Sequence, residues 1–440
     1  RTLDPPGGRT LAWNNGGVTA TDASTAHAST AHASTAHAAA AKDIAAALRS
    51  AIDGEVDTSA RRRAEYSTDA SNYRVVPQVV AYPRDRADLE ATLATARELA
   101  LPITMRGGGT SVAGNAIGHG LVIDTSRHLT RILDVSTEER TARVEPGVVM
   151  STLQRHIAAT GLRFGPDPST STRATFGGMI GNNACGPHAV AFGRTADNVI
   201  SLDAIDGTGR RFTANRGDLT PIPGLEDLVK ANLALIRTEF GRFSRQVSGY
   251  SLEHLLPELG GDLARFLVGT EGTLATVLDA TVRLVPVAPH RITLVLAYKD
   301  MPSAADAVVP LLAHKPHAVE GLDARLVRRV AEFRATGEIP ELPRGAGWLF
   351  IEVGADTEEE ARENLANIIR DSGTESYRVV EDPKEAAQLW SIRADGAGLA
   401  GRSDMNKECW PGWEDAAVPP ENLGSYLRDF DDLMQRHGVS

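Results

Sequence analysis

Cysteine is nearly absent: the 440 residues hold two, Cys185 and Cys409. Two thiols build neither a disulfide framework nor the ligand set of an iron–sulfur cluster, and they suit a reducing, cytoplasmic setting. Long apolar runs are missing too. None approaches the ~20 residues of a membrane span, which leaves at most peripheral attachment at an inner membrane face. Lysine-rich blocks are also missing, and the formal net charge is −11. A chain without clustered cations is a poor partner for nucleic acid. The opening "RTLDPPGGRT" has no signal-peptide core and no initiating Met, so a chain cut from something longer is expected.

A length of 440 residues suggests two to roughly three domains, and hydrophobic residues, 42% of the chain, suffice for a sizeable core. Residues 1–40 are the exception. "ASTAH" occurs there three times in tandem, placing His27, His32 and His37 five apart. Helical metal ligands sit at i, i+3 or i+4, so a duplicated low-complexity segment is the better reading than a metal site.

Periodicity then predicts a helix over 41–52, a strand within "VVPQVVAYP" (75–83), and a helix in "DRADLEATLATARELALP". That helix carries Leu89, Leu93, Ala96 and Ala100 on one face and stops at Pro102. "PITMR" and "GLVIDTS" read as strands flanking a glycine cluster. "RILDVSTEERTARVEPG" and "VISLDAIDGTGRRFTA" read as hairpins, "STLQRHIAATG" as a helix stopped by Gly161, and "GTLATVLDATVRLVPV" as a long strand. After about Pro289, strands and helices alternate as in an α+β domain with an antiparallel sheet. The tail "PPENLGSYLRDFDDLMQRHG" predicts an amphipathic helix with Leu423, Tyr426, Leu427, Phe430, Leu433 and Met434 on one face, ended by Gly438.

The glycine cluster is "RGGGTSVAGN", Arg106 to Asn115. A P-loop needs Gly-Lys-Ser/Thr opening a helix, and no Lys precedes Thr110 and Ser111. A dinucleotide fingerprint needs strand, turn and helix, whereas this loop runs from strand to strand. Two readings stay open on the loop alone: a backbone nest for an anion, or a tight loop with no ligand. A second cluster, "FGPDPSTSTRATFGGMIGNNACGPHAVAFGRTADNV" (164–199), holds Gly177, Gly178, Gly181, Asn182, Asn183 and Gly186. A third stretch is "VGTEGTLA" (268–275). Small residues beside Asn and Thr at this density suit backbone lying against a large flat ligand with polar edges.

Together the three stretches resemble the vanillyl-alcohol oxidase type of FAD-binding (PCMH-type) oxidoreductases, close to the D-2-hydroxyacid dehydrogenase branch. That branch includes glycolate oxidase, D-lactate dehydrogenase and D-2-hydroxyglutarate dehydrogenase. The resemblance implies an α+β protein. A low-complexity segment and short helix (1–64) would precede a two-subdomain FAD-binding domain (65–289) and a substrate, or cap, domain with an antiparallel sheet (290–440), apparently truncated. It implies that Arg106, Gly107, Gly108, Gly109, Thr110, Ser111 and Asn115 wrap the FAD pyrophosphate. Pro166, Asp167, Ser169, Thr175, Gly177, Gly178, Gly181, Asn182, Asn183, Gly186 and Val199 would lie along the flavin and ribityl side, and Glu271 and Gly272 nearer adenosine. Thr110 and Ser111 stand where some relatives carry a flavin-linking His, so the FAD is expected to be non-covalent. Cys185 or His188 is the covalent alternative.

At the substrate end "AAQLWSIRADGAGLAG" resembles the family segment whose Arg grips the substrate carboxylate. That implies Arg393 as anchor, with Arg402 a weaker candidate; an Arg fork suits a carboxylate. The implied activity is oxidation of a D-2-hydroxyacid to the 2-oxoacid. The electrons would pass to a quinone, a cytochrome or an iron–sulfur domain, the last only if the natural chain continues past Ser440; a homo-oligomer is an open expectation. There are departures. Trp413 stands where hydroxyglutarate enzymes carry a Lys. The family's Gly-His-x-Gly-Asp-Gly-Asn-x-His segment, which binds a metal and helps deprotonate the substrate hydroxyl, has no counterpart in the sequence, and no metal site is expected here. The alternative is therefore a flavin-binding module of a larger electron-transfer assembly. A sugar or phenol oxidase fits less well, because Arg393 argues for an acid.

Overall fold

The computed structural model describes residues 41–243, 249–333, 339–399 and 417–438. The "ASTAH" repeats, Arg402, Cys409 and Trp413 lie outside these residues. The architecture is mixed α+β, built on three sheets.

The first sheet has the order β1 (Glu55–Asp57), β2 (Val79–Tyr82), β4 (Leu121–Asp124), β3 (Ile103–Arg106). β2, β4 and β3 run parallel, and β1 pairs antiparallel to β2. Every residue of "VVAY" and "LVID" is buried. Strands covered on both faces read as such unbroken apolar runs. The helix Arg86–Glu98 connects β2 to β3. Asp85 caps it by accepting from the Asp88 N–H, and Leu89, Leu93 and Ala96 face the core. The helix ends before Ala100, which takes a left-handed φ of 49° and leaves the expected apolar face. The helix over 41–51 packs Ala45 and Leu48 onto the same sheet. Adjacent parallel strands need a connection of a dozen or more residues, usually a helix. Between β3 and β4 that connection is the glycine-rich loop itself.

The second sheet is antiparallel, in the order β5 (Ile132–Ser136), β6 (Thr141–Val144), β10 (Ala275–Pro286), β8 (Val199–Asp206), β9 (Arg211–Ala214), with β7 (Leu162–Phe164) on the far end of β10. Both expected hairpins form, and Gly161 ends its helix with a left-handed φ of 70°. β10 carries a bulge: Val277 pairs with Ala204, but Asp279 pairs with Asp203. The extra residue, Leu278, is buried in the first sheet's core, while Ala280 belongs to the second's. Arg86 of the first unit bonds Asp279 and Asp203 at 2.9 and 3.1 Å, and Arg143 bonds Asp279 through Nε at 2.7 Å. These four charges join the two sheets.

The third sheet is antiparallel, in the order β12 (Ala318–Asp323), β13 (Gly347–Ala355), β11 (His290–Tyr298), β14 (Tyr377–Val380). Leu294, Leu296, Leu349 and Ile351 pack against the helices Met301–Asp306 and Glu358–Asp371. Val295, Trp348 and Phe350 pack on the other face against Ala324–Phe333 and Pro383–Leu399. The tail helix Pro420–Arg436 forms, with Leu423, Tyr426, Leu427 and Met434 of the expected apolar face half-buried. Gly424 is its one buried residue; a Cβ there would stand 1.8 Å from Asp306 Oδ1. Phe430 and Leu433 stay exposed.

Candidate functional site

The three glycine-rich stretches converge on one cavity of about 450 Å³ between the first and second sheets. That lies inside the roughly 300–1,000 Å³ range of small-molecule sites. Its first wall is the β3–β4 loop. Among the described residues, the backbone N–H groups of Gly107 through Val112 meet no acceptor. A run of unpaired donors is costly unless water or a ligand takes them, and together they form an anion nest. Gly109 at φ 65° and Gly114 at φ 84° make the turn. Side chains brace the loop rather than project from it. Ser111 Oγ donates to Asn115 Oδ1 and accepts from the N–H groups of Ala113 and Asn115. Arg106 donates to the carbonyls of Thr68 and Ala116 and stacks over Tyr66 at 4.8 Å.

The second wall is the helix Phe176–Asn182, capped by Thr175. The glycines of the two walls divide into two kinds. A Cβ on Gly107 would stand 2.0 Å from Thr175 Oγ1, one on Gly108 2.2 Å from the Arg173 carbonyl, and one on Gly177 2.8 Å from Pro146. These glycines allow close approach: Gly108 to backbone, Gly107 to the Thr175 side chain, and Gly177 to Pro146. Gly178 and Gly181 have open space instead, with nearest neighbours at 3.4 and 3.9 Å. The third wall docks on the second: Gly269 and Glu271 donate to the carbonyls of Ile180 and Gly181, both at 2.8 Å. Glu271, at φ 54°, and Gly272, at φ 73°, close the cavity.

Ser169, Thr110, Asn182 and Cys185 also line it. Met105, Met179, Leu267 and Val277 give it apolar surface, and Glu271 is its one acidic lining residue. Unpaired donors, one carboxylate and an apolar floor suit a ligand with an anionic middle and a flat apolar body. A smaller cavity of about 340 Å³ adjoins and shares Gly272, Ala275 and Thr276.

Five residues expected at the site lie off the lining. Pro166 and Val199 are buried. Asn183 caps the helix in a left-handed conformation, and its Oδ1 accepts from the Ala196 N–H. Gly186 is in close backbone contact with Asp167, where a Cβ would stand 2.3 Å from the Asp167 carbonyl. Asp167 itself turns to His188, accepting from its N–H and meeting its Nδ1 at 2.5 Å. His188 Nε2 meets Glu352 Oε1 at 2.9 Å. Burial alone would push the imidazole pKa down, but the two carboxylates hold it up at about 9. Both ring nitrogens are thereby engaged. Sequence reading had no access to this pairing, because Glu352 stands 164 residues further along the chain.

Arg393, on the helix Pro383–Leu399, does not reach this lining. Its Nε donates to Glu320 Oε2 of β12 at 2.9 Å. Of the other histidines, His314 pairs with Asp371, and burial drives the His254 pKa down to about 4, assisted by Arg265 and Arg194. No cluster of three metal-ligating side chains occurs among the described residues.

Residues 77–215 match the model for an FAD binding domain, and residues 287–440 that for the C-terminal domain of FAD linked oxidases. The chain is 31% identical to D-2-hydroxyglutarate dehydrogenase of Pantoea ananatis, over 88% of this chain and 41% of that one. It is 30% identical to D-lactate dehydrogenase of Archaeoglobus fulgidus, over 82% of this chain and 71% of the relative. It is 29% identical to glycolate oxidase subunit GlcD of Bacillus subtilis, over 87% and 74%. The chain thus spans about two fifths of the length of the hydroxyglutarate relative. Alkyldihydroxyacetonephosphate synthase shares the fold, with a TM-score of 0.56 at 14% identity over 79% of this chain and 61% of that one.

Proposed function

The chain belongs to the FAD-linked oxidases, in their D-2-hydroxyacid dehydrogenase branch, and from that premise we propose that it oxidises a D-2-hydroxyacid of the lactate, glycolate or 2-hydroxyglutarate type to the 2-oxoacid. The observation that carries the reading is the convergence of three glycine-rich stretches on one cavity with a row of unpartnered N–H donors.

Bound FAD supplies the hydride acceptor for this chemistry. The loop from Gly107 to Val112 would hold the pyrophosphate on its N–H groups, with Ser111 and Asn115 keeping the loop in shape and Arg106 anchoring its base. Gly178, Gly181, Asn182, Ser169 and Thr175 would line the flavin side. Glu271 and Gly272 would stand toward adenosine, near the adjoining cavity. The attachment would be non-covalent: Thr110 and Ser111 stand where some relatives carry the linking His, and both ring nitrogens of His188 are engaged, which leaves Cys185 on the lining as the covalent alternative. Arg393 would take the substrate carboxylate. Its bond to Glu320 through Nε sets the plane of the guanidinium, and orientation of that kind is worth much of a barrier.

A second reading rests on length. Because the chain spans about two fifths of its hydroxyglutarate relative, it also fits the flavin-binding module of a larger electron-transfer assembly, handing electrons to an iron–sulfur domain, quinone or cytochrome. One experiment separates the two. The purified, FAD-loaded chain is mixed anaerobically with D-lactate, glycolate or D-2-hydroxyglutarate. Bleaching of the visible flavin band supports the oxidation; a flavin reducible by dithionite but by none of the acids supports the module. Failure to bind FAD at all sinks both.

A further inference from the structure

His188 is buried between two carboxylates that belong to different parts of the molecule. Asp167 lies beside Pro168 and Ser169, which line the cavity, and His188 follows Ala184 and Cys185, which also line it. Glu352 lies on β13 of the third sheet. The three side chains are 11%, 22% and 11% exposed. The chemistry of the arrangement dictates a charge. A neutral imidazole has one donor and one acceptor nitrogen, so it would aim a lone pair at one carboxylate; only the imidazolium donates to both. Arg163 of β7 stands 3.8 Å from Asp167, balancing the second carboxylate. His317 lies 4.0 Å from Glu352, and burial lowers its pKa, so it stays neutral. Arg291 of β11 favours the ionised Glu352. Phe192 stacks on the His188 ring and meets His317 edge-on.

The register of the third sheet links this junction to the expected substrate anchor. Ala318 pairs with Glu352 and Glu320 with Phe350, so Glu320 and Glu352 project from the same face of the sheet. Glu352 holds His188; Glu320 holds Arg393.

We propose that His188 is a positioning residue: as an imidazolium it locks the third sheet against two segments of the cavity wall, and so sets where Arg393 stands relative to the cavity. The placement of Arg393 rests on the function proposed above; the lock itself does not.

The tests use the full chain with His188→Gln and the isosteric Glu352→Gln. In the second, the Gln amide can donate to an unprotonated Nε2, so the geometry survives without the charge. Histidine NMR titration, with the signal assigned by its loss in His188→Gln, should give a wild-type midpoint near 9. In Glu352→Gln the midpoint should fall by about one pH unit or more. A wild-type midpoint in the ordinary range of about 6.5, or one that Glu352→Gln leaves in place, overturns the proposal. Hydrogen exchange at a single pH reads the lock without turnover. His188→Gln should raise exchange about tenfold in both the 184–188 and 350–354 segments, and Glu352→Gln by less; no change in either segment overturns the lock. Where one of the acids reduces the flavin, KM should rise about tenfold in His188→Gln, with kcat changed less. An unmoved KM overturns the link to Arg393. If no acid reduces the flavin, the proposed reaction fails, and titration and exchange still decide the lock.

Discussion

The cavity and the third sheet hold their working parts in opposite ways. The cavity is made of backbone: unpaired N–H groups, left-handed turns, and glycines whose hydrogens are in contact with neighbouring chain. The third sheet holds its working side chains through charge, with Arg393 on Glu320 and His188 on Glu352. Backbone construction is indifferent to pH and intolerant of a methyl group; construction by ion pairs is the reverse.

The largest expected effect strikes the backbone side. Gly108→Ala puts a Cβ 2.2 Å from the Arg173 carbonyl, which neither segment can relieve by rotating a side chain. FAD affinity should fall by about 100-fold or more, roughly 3 kcal/mol, measured by flavin fluorescence quenching. Gly181→Ala sharpens the point. Its Cβ meets nothing closer than 3.9 Å, so the melting temperature should hold within a degree or two while FAD binding weakens, because the methyl group enters the cavity.

The next effect belongs to charge. His188 has a folded-state pKa of about 9, above its unfolded value near 6.5. The stability it contributes is therefore fully present below about pH 6.5 and lost as pH rises through about 9. Urea unfolding at neutral pH and at about pH 9.5 should differ by on the order of 3 kcal/mol, and His188→Gln should abolish that difference. Asp279→Asn should cost about 2 kcal/mol, since it leaves Arg86 and Arg143 sharing Asp203, with Glu90 beside Arg86; the shift in urea midpoint checks it. Phe430→Ser closes the series. The ring is exposed, so stability should stay within about 0.5 kcal/mol.

This contrast also explains what could be read in advance. The strands, hairpins and glycine stretches follow from local spacing, and those stretches do meet in one cavity. The division of labour among the glycines does not follow: Gly177 and Gly178 are neighbours in sequence, yet one packs on Pro146 and the other faces open space. Asp167 sits one residue from a lining proline and still turns away, because a histidine 21 positions on captures it. Glu352 lies inside an apolar strand, and nothing near it in sequence marks its partner. The tail helix was legible as an amphipathic helix, but the close approach at Gly424 against Asp306 was not.

The bulge in β10 has a further consequence. Upstream of Leu278, the strand supplies Ala275, Thr276 and Val277 to the cavity; downstream, Asp279 enters the charged network with Arg86 and Arg143. The bulge is thus a phase shifter, joining two strand segments that are out of step by one residue. Deleting Leu278 would make Val277 and Asp279 consecutive opposite the consecutive Ala204 and Asp203, so every remaining pairing and face would survive. A one-residue deletion there would spare the cavity floor and the charged seam and take from the first sheet's core the Leu278 side chain that ties the two sheets together.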